Sequence, residues 1–432
     1  MLINNFNKSY RLLKIAKKLI PSASQTYSKS YKYFCEGAAP AFLERGEGGY
    51  VWDVDNNRYI DFVLGLGAIT IGYNDLRVNR AISGQLKKGI SFSQSTELEI
   101  KLAQKLVEII TCAEMVRFVK NGSDATTAAV RLARAYTGKE IIACCGYHGW
   151  QDWYIGTTEG DLGIPEAVKR LTKKFEYNNM SSLEKIFREN RGKVAAVIME
   201  PVQLEYPKDN FLQKVKSLTH KNGAVLIFDE VVTGFRLGLS GAQGYFKVIP
   251  DLTAIGKGMA NGACISAIVG KKEIMRLIEK EVFISMTFGG ETLSLAAALA
   301  TINILEKKGV YNHIWELGRR WQKGMSSLIK EKKLEDVVKI AGLPPHTGVS
   351  FNKKGNLGPL DLLSVYQQTL IENGILSVGI NNFCLSHTKE QINIFIKAAS
   401  KALEMVKKAL ESGTVNKILR GKKIEPIFTR NQ

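Results

Sequence analysis

Residues 224–262 read AVLIFDEVVTGFRLGLSGAQGYFKVIPDLTAIGKGMANG. The run 224–228 is short, apolar and rich in β-branched residues, which is typical of a strand buried on both faces. Two carboxylates follow it, the first of them Asp229, and a second short apolar segment, 252–255, comes just before Lys257. Open α/β sheets bind their ligands at the carboxyl ends of the strands. The stretch therefore predicts a site that combines an acid from one strand end with a lysine from the next.

Composition indicates a globular α/β enzyme with two subdomains. The chain has 432 residues, of which 45% are hydrophobic and 23% are charged, and its formal net charge is +19. These values exclude wholesale disorder. The lysines are scattered, and neither zinc-finger spacings nor RNA-binding consensus strings occur. We therefore expect a basic solvated surface that attracts small anions, and no nucleic-acid partner.

The six cysteines form no CxxC pair and no metal-ligand cluster, so we expect buried or inert thiols in a reducing cytoplasm and no metal. Residues 1–21 place basic and apolar residues at helical spacing but lack the continuous apolar core of a secretory signal. A helix lying on a membrane and a helix packed on its own dimer both fit this pattern. We favour the second and predict a soluble, cytoplasmic protein without a membrane partner.

The predicted strand 115–119 leads into a turn of small residues and then a helix over 124–136. A helix N-terminus favours phosphate, because its backbone N–H groups are free and its dipole is positive there. Gly122 would let the backbone approach a ligand, and Ser123 adds a hydroxyl donor. An ordinary helix cap is the alternative interpretation.

Two more predicted strands end in candidate residues. The strand 141–145 leads to Tyr147 and His148, and the strand 194–199 leads to Glu200. An aromatic side chain at such a position can stack on a pyridine ring. His148 is either a general base or, as we favour, a histidine that fixes the turn. Glu200 either organises the site through hydrogen bonds or is a solvated acid at a strand end.

The segments DEVVTGFR at 229–236 and GKGMANG at 256–262 resemble the signature of class III aminotransferases, which depend on pyridoxal 5'-phosphate (PLP). The nearest branch is that of glutamate-1-semialdehyde aminomutase, and the resemblance covers about residues 35–410. It implies fold-type I, an α/β fold with a large domain around a mostly parallel central sheet and a small α+β domain built from both termini. The implied division is 1–70 for the N-terminal part of the small domain, 71–312 for the large PLP-binding domain, and 313–432 for the C-terminal part of the small domain with a basic tail.

The resemblance also implies the catalytic residues. Lys257 would hold PLP as a Schiff base and then carry protons. Asp229 would keep the pyridine nitrogen protonated, which makes the ring an electron sink. Glu200 matches the Glu-Pro motif of the family and would organise the site. Either Asp229 or Lys257 alone would be better explained as a loop cap or a surface lysine, but the order of all the motifs favours the site.

Further residues are implied as cofactor contacts. Gly122 and Ser123 correspond to the phosphate cup of the family, and Tyr147 would stack on the ring opposite Val231. Thr287 matches a threonine that reaches the phosphate from the partner subunit. The expected assembly is therefore a homodimer with shared active sites.

Substrate features depart from the aminomutase pattern. Residues 24–34 contain no arginine for a substrate carboxylate, and residues 379–387 contain no acid. Glu291 and Thr292 stand where Asn-Pro is usual. We therefore favour intermolecular transfer of an amino group to a small keto or aldehyde compound, with sugar and polysaccharide precursors among the candidates. The alternative is the intramolecular mutase that makes 5-aminolevulinate.

Two other classes of function fit the sequence less well. A decarboxylase or racemase on the same fold would retain Asp229 and Lys257. A non-catalytic binding protein would be expected to have lost Lys257, which is present.

Overall fold

The computed structural model describes residues 5–425, and this part of the chain divides into two compact units. The large unit comprises Ala68–Thr70 and Leu76–Lys308. The small unit comprises residues 5–67, Ile71–Asp75 and residues 309–425.

The strands of the described residues are β1 Leu43–Glu47, β2 Tyr50–Asp53, β3 Arg58–Asp61, β4 Met115–Val119, β5 Ile141–Cys145, β6 Thr172–Lys174, β7 Val194–Met199, β8 Val225–Glu230, β9 Leu252–Ile255, β10 Ser266–Gly270, β11 Val338–Leu343, β12 His346–Phe351, β13 Ile375–Leu376 and β14 Ile380–Asn382.

The α-helices of the same residues are α1 Asn7–Leu19, α2 Leu64–Gly67, α3 Leu76–Leu86, α4 Glu97–Ile109, α5 Gly122–Thr137, α6 Asp152–Ile155, α7 Glu166–Lys169, α8 Met180–Glu189, α9 Phe211–Lys221, α10 Gly241–Phe246, α11 Lys272–Met275, α12 Thr292–Leu305, α13 Val310–Glu331, α14 Pro359–Glu372 and α15 Lys389–Ser412. Short 3₁₀ turns span Pro21–Ala23, Tyr27–Lys29, Tyr31–Tyr33, Lys257–Ala260 and Arg276–Glu279.

A seven-stranded sheet forms the centre of the large unit, in the order β4-β10-β9-β8-β7-β5-β6. Strands β5 to β9 pair in parallel, whereas β10 runs antiparallel to both β4 and β9. Strand β4 therefore points in the same direction as β9. The mostly parallel α/β fold expected from sequence is confirmed.

Side chains along each strand point alternately to the two faces of this sheet, and both faces are apolar. One face carries residues such as Ile198 and Ile227 and packs against the alanines of α5, including Ala129 and Ala133. The other face packs against α8 and α9, for example through Phe228. Side chains of a strand point alternately to the two faces, so each fully apolar strand serves both cores. Small alanine side chains let α5 lie close to the sheet, which places its first turn where β4 ends.

The small unit is an α+β arrangement that combines segments from both ends of the chain. One sheet has the order β1-β2-β3-β13 and the other has the order β11-β12-β14. In the first sheet Ile375 pairs in parallel with Ile60, which joins the two ends of the chain. The side chain of Trp321 on α13 is fully buried, and its ring centroid lies 5.6 Å from that of Phe395 on α15.

Both terminal segments pack on the small unit where they are described. Leu13 of α1 is buried in a cluster with Tyr31 and Phe42. Near the other end, Ile424 is buried with Cys35. The described part of the basic tail is therefore an ordered arm, and the rest of the tail, 426–432, lies outside the described residues.

Most element bounds agree with the sequence, but some helices and strands are longer than expected, with α5, α12 and β8 among them. Helix α5 begins at Gly122 instead of residue 124, because Asn121 caps it. The apolar run 296–305 also predicts a helix, and α12 begins before it, at Thr292, because Glu291 caps it. Strand β8 continues through Glu230, whose carboxylate is buried.

The cysteines were expected to be buried or inert thiols. All six are free thiols, and five are buried, but Cys264 is exposed. Burial is therefore observed for five of the thiols, and the expected inertness of Cys264, which lies in a loop before β10, stays a prediction. No helix among residues 5–425 is long and apolar enough to span a membrane.

Candidate active site

The predicted site residues of the large unit follow strands that end at one edge of the sheet. Asp229 on β8 pairs with Ala254 on β9, and Lys257 comes three residues after Ala254. On the other side, Phe228 pairs with Met199, the residue before Glu200. Because parallel strands present their carboxyl ends at the same edge, the sheet brings these strand-end side chains to one region.

A buried pair of side chains joins two of these strand ends. The Asp229 side chain is 5% exposed, and its Oδ2 lies 2.8 Å from Nδ1 of His148. A carboxylate can only accept, so Nδ1 carries the proton in this contact. The second oxygen of Asp229 accepts the N–H of Val231 at 3.1 Å. Sequence reasoning favoured His148 as a turn residue; its contact with Asp229 shows that it orients the acid.

Lys257 occupies a strained turn after β9. The residue is half-buried, and its φ of 22° lies in a region that non-glycine residues rarely adopt. Thr70 holds this turn, since its hydroxyl donates to Gly258 O at 3.0 Å and its N–H donates to Oδ1 of Asn261 at 3.0 Å. A Cβ at Gly256 would lie 2.4 Å from Ser266 Oγ, which explains the glycine before the lysine.

The N-terminus of α5 is an anion cradle. Asn121 Oδ1 accepts the N–H of Asp124, and Asp124 in turn accepts the N–H of Asn121. The N–H groups of Gly122 and Ser123 have no protein acceptor within residues 5–425. A helix of this length concentrates positive potential at those two N–H groups. Both N–H groups are therefore available for a phosphate.

Two close contacts shape this cradle. A Cβ at Gly122 would lie 2.9 Å from both Cγ atoms of Val231. A Cβ at Gly149, whose φ is 104°, would lie 2.3 Å from Ser123 Oγ. Glycine is therefore required at both positions, and Val231 and Ser123 are adjacent to them.

Tyr147 and Glu200 meet across β5 and β7. The carboxylate of Glu200 accepts the N–H of Tyr147 at 3.1 Å and a side-chain N–H of Gln203 at 3.2 Å. The Tyr147 ring is 39% exposed and makes an edge contact with the ring of Tyr154 at 5.6 Å. Glu200 thus fixes the backbone that carries Tyr147, and its catalytic role stays a prediction.

Thr287 lies apart from these contacts, in an irregular segment between β10 and α12. It is exposed, and its neighbours Phe283 and Phe288 are 82% and 58% exposed. Within residues 5–425 of one chain, no hydrogen bond joins Thr287 to another predicted site residue.

Sequence reasoning also missed the second acid of β8. Glu230 is 1% exposed and accepts hydrogen bonds from Ala242, Gln243 and Thr233. Burial raises the pKa of Glu230, although these hydrogen bonds act in the opposite direction. Its two carboxylate oxygens anchor α10 beneath the site, and the acidic doublet in the sequence was the available indication.

These features fit PLP. The group carries a phosphate dianion, an aldehyde and a pyridine nitrogen, which call for free N–H groups, a lysine and a carboxylate. Gly122 and Ser123, Lys257 and Asp229 supply them in that order. Among the described residues, no group of three or more potential metal ligands occurs.

Comparison with known proteins agrees with this chemistry. The aminotransferase class-III family matches residues 33–409. The chain belongs to this family. It is a PLP-dependent class III aminotransferase or aminomutase of fold-type I.

Relatives of this class III enzyme include both activities. A 3-aminobutyryl-CoA aminotransferase of Cloacimonas acidaminovorans is 37% identical over 93% of this chain and 98% of its own length. A glutamate-1-semialdehyde 2,1-aminomutase of Methanothrix thermoacetophila is 36% identical over 82% of this chain and 83% of its own. A solved transaminase with PLP bound is 25% identical, with a TM-score of 0.87 and coverage of 95% of this chain and 100% of that one.

Proposed function

We propose that this class III enzyme transfers an amino group between two small molecules. PLP, when bound, supplies an electron sink that stabilises negative charge at the carbon bearing the amino group. The observation that carries the proposal is that Lys257, the Asp229–His148 pair and the free N–H groups of α5 follow strands that end at one edge of the sheet.

Each side chain has a definite task in this proposal. Lys257 would hold the cofactor at its aldehyde group and would also move a proton during the transfer. Asp229, oriented by His148, holds a proton on the pyridine nitrogen. Gly122 and Ser123 bind the phosphate, and Val231 and Tyr147 would contact the ring.

We propose an intermolecular reaction with a keto or aldehyde acceptor. The support is the relative named 3-aminobutyryl-CoA aminotransferase, which aligns over almost the whole of both chains. The absence of an arginine in residues 24–34 also fits an acceptor other than glutamate-1-semialdehyde. A sugar acceptor stays a prediction from the sequence alone.

A single-turnover experiment tests this proposal. The PLP-loaded protein is mixed with L-glutamate, and separately with 3-aminobutyryl-CoA, and the keto product is quantified. We expect about one equivalent of keto product per subunit from at least one of these donors. Absence of keto product with every amino donor in a broad panel would contradict intermolecular transfer.

The aminomutase is the second candidate, because several relatives at 35–38% identity carry that name. It predicts formation of 5-aminolevulinate from glutamate-1-semialdehyde without a second keto acid. The same protein preparation distinguishes the two activities.

We also propose a homodimer with shared active sites. The exposure of Phe283 and Phe288, 82% and 58%, supports it, because an interface between subunits would cover such large apolar side chains. Thr287 lies between them and would reach the phosphate of the partner subunit.

A cytoplasmic location is part of the proposal and fits the six free thiols.

A further inference from the structure

The ammonium group of Lys120 connects three segments around the candidate site. Lys120 follows β4 directly and precedes Asn121, the cap of α5. Its Nζ donates to Glu291 Oε2 at 3.0 Å and to the carbonyl oxygen of Cys264 at 3.0 Å. Cys264 lies in the loop that follows the Lys257 turn, and Glu291 ends the segment that contains Thr287.

Glu291 uses both of its oxygens in this arrangement. Oε1 accepts the N–H of Leu293 at 2.7 Å, and Oε2 accepts the N–H of Ser294 at 3.3 Å. The carboxylate therefore caps the 14-residue helix α12 while it pairs with Lys120. Burial alone would raise the pKa of Glu291, but the hydrogen bonds from Ser294, Lys120 and Leu293 outweigh it and lower the pKa.

This pair differs from an ordinary surface ion pair. The Lys120 and Glu291 side chains are 22% and 15% exposed, so solvent screens them only in part. Two arginines also bind the segment that contains Thr287. Arg117 donates to Ile284 O at 2.6 Å, and Arg131 donates to Phe283 O at 3.1 Å. Unlike these two arginines, Lys120 also lies directly beside the anion cradle.

We propose that the Lys120–Glu291 pair is a positioning device that fixes the phosphate cradle of α5 relative to the Lys257 turn and the Thr287 segment. The inference rests on the proposed function, because it assigns the cradle to PLP. Neither side chain is a proposed cofactor contact. Each acts through the backbone that it holds.

An electrostatic role and a positioning role of the pair predict opposite effects of E291Q on phosphate binding. If the pair acted only through its charges, removing the negative charge in E291Q would strengthen phosphate binding, and removing the positive charge in K120M would weaken it. If the pair acts by position, both substitutions loosen the cradle and both weaken binding. The sign of the E291Q effect therefore separates the two explanations.

The test measures the PLP dissociation constant of the full-length protein by equilibrium dialysis for wild type, K120M, E291Q and the double variant. We expect both single variants to raise the constant about five- to tenfold, and the double variant to add little, because each single change already breaks the pair. K120R, which keeps the charge and the donor, should remain within about twofold of wild type.

The matched control is K105M. Lys105 is also 22% exposed and pairs with Glu306 at the other end of α12. Urea unfolding reports the loss of stability in every variant. We expect K105M to lower stability without changing the PLP dissociation constant by more than about twofold.

Three results would overturn the proposal. They are tighter PLP binding by E291Q, unchanged binding by both K120M and E291Q, or an equal loss of binding in K105M. Failure of the proposed function would be distinct, since wild type itself would then bind no PLP or form no keto product.

Discussion

Replacing Gly149, which is not itself a proposed cofactor contact, by alanine should disturb the anion cradle by displacing Ser123. Gly149 has a φ of 104°, and a Cβ there would lie 2.3 Å from Ser123 Oγ and 2.9 Å from Ser123 Cα. The left-handed conformation costs an alanine about 1–2 kcal/mol. Displacing Ser123 adds about 1–3 kcal/mol of overpacking, since a backbone atom is among those that must move.

Gly163 provides a matched control. Its φ is 92°, but a Cβ there meets nothing within 4 Å. G163A should therefore lose only the conformational part, about 1–2 kcal/mol, against about 2–5 kcal/mol for G149A.

Urea unfolding of the two variants measures this difference, and equilibrium dialysis measures PLP binding. We expect G149A to raise the PLP dissociation constant about tenfold, which corresponds to one lost hydrogen bond to a charged group. G163A should leave it unchanged. Equal destabilisation of the two variants with unchanged PLP binding would refute the assignment of Ser123 to the cradle.

Three further predictions concern separate parts of the large unit. H148F removes the hydrogen bond to Asp229 and should lower kcat/KM about 10- to 100-fold with a folded protein by circular dichroism, and unchanged kinetics would contradict the role of His148. Burial opposes the charged form of Asp251, but hydrogen bonds that include one from Lys271 outweigh it and hold its pKa below the ordinary 3.8. Its stabilisation is therefore present above that value and is lost as the pH falls through the lowered pKa, so acidification from about pH 6 to pH 3 should destabilise wild type more than D251N in urea titrations. F288D should shift the protein toward a monomer in light scattering, and a variant that stays dimeric at low micromolar concentration would place the interface elsewhere.

Much of the central sheet was predictable because its strands are nearly pure apolar runs. Strands β4, β5, β7 and β9 have the bounds that the sequence suggested. Parallel strands buried on both faces leave little ambiguity between a strand and a loop. The ends of β5, β7 and β9 were predictable as well, since a glycine or an acid follows each of these runs directly.

The partners of the strand-end residues were harder to predict. Contact between His148 and Asp229 depends on strand order, because β7 lies between the two strands that carry them. The Lys120–Glu291 pair joins residues 171 positions apart, so no local sequence pattern links its two members. Helix α12 begins earlier than expected because glutamate is an uncommon helix cap. Only the hydrogen bonds that Glu291 accepts from Leu293 and Ser294 reveal it as the cap.

Locating the covalent bond between PLP and the protein tests the central claim most directly. The PLP-loaded protein is reduced with borohydride, digested and analysed by mass spectrometry, with K257A treated in parallel. We predict that the cofactor mass lies on the peptide that contains Lys257 and is lost in K257A. Reduced cofactor on another lysine, or an equal yield from K257A, would contradict the assignment of Lys257 and with it the proposed transfer chemistry.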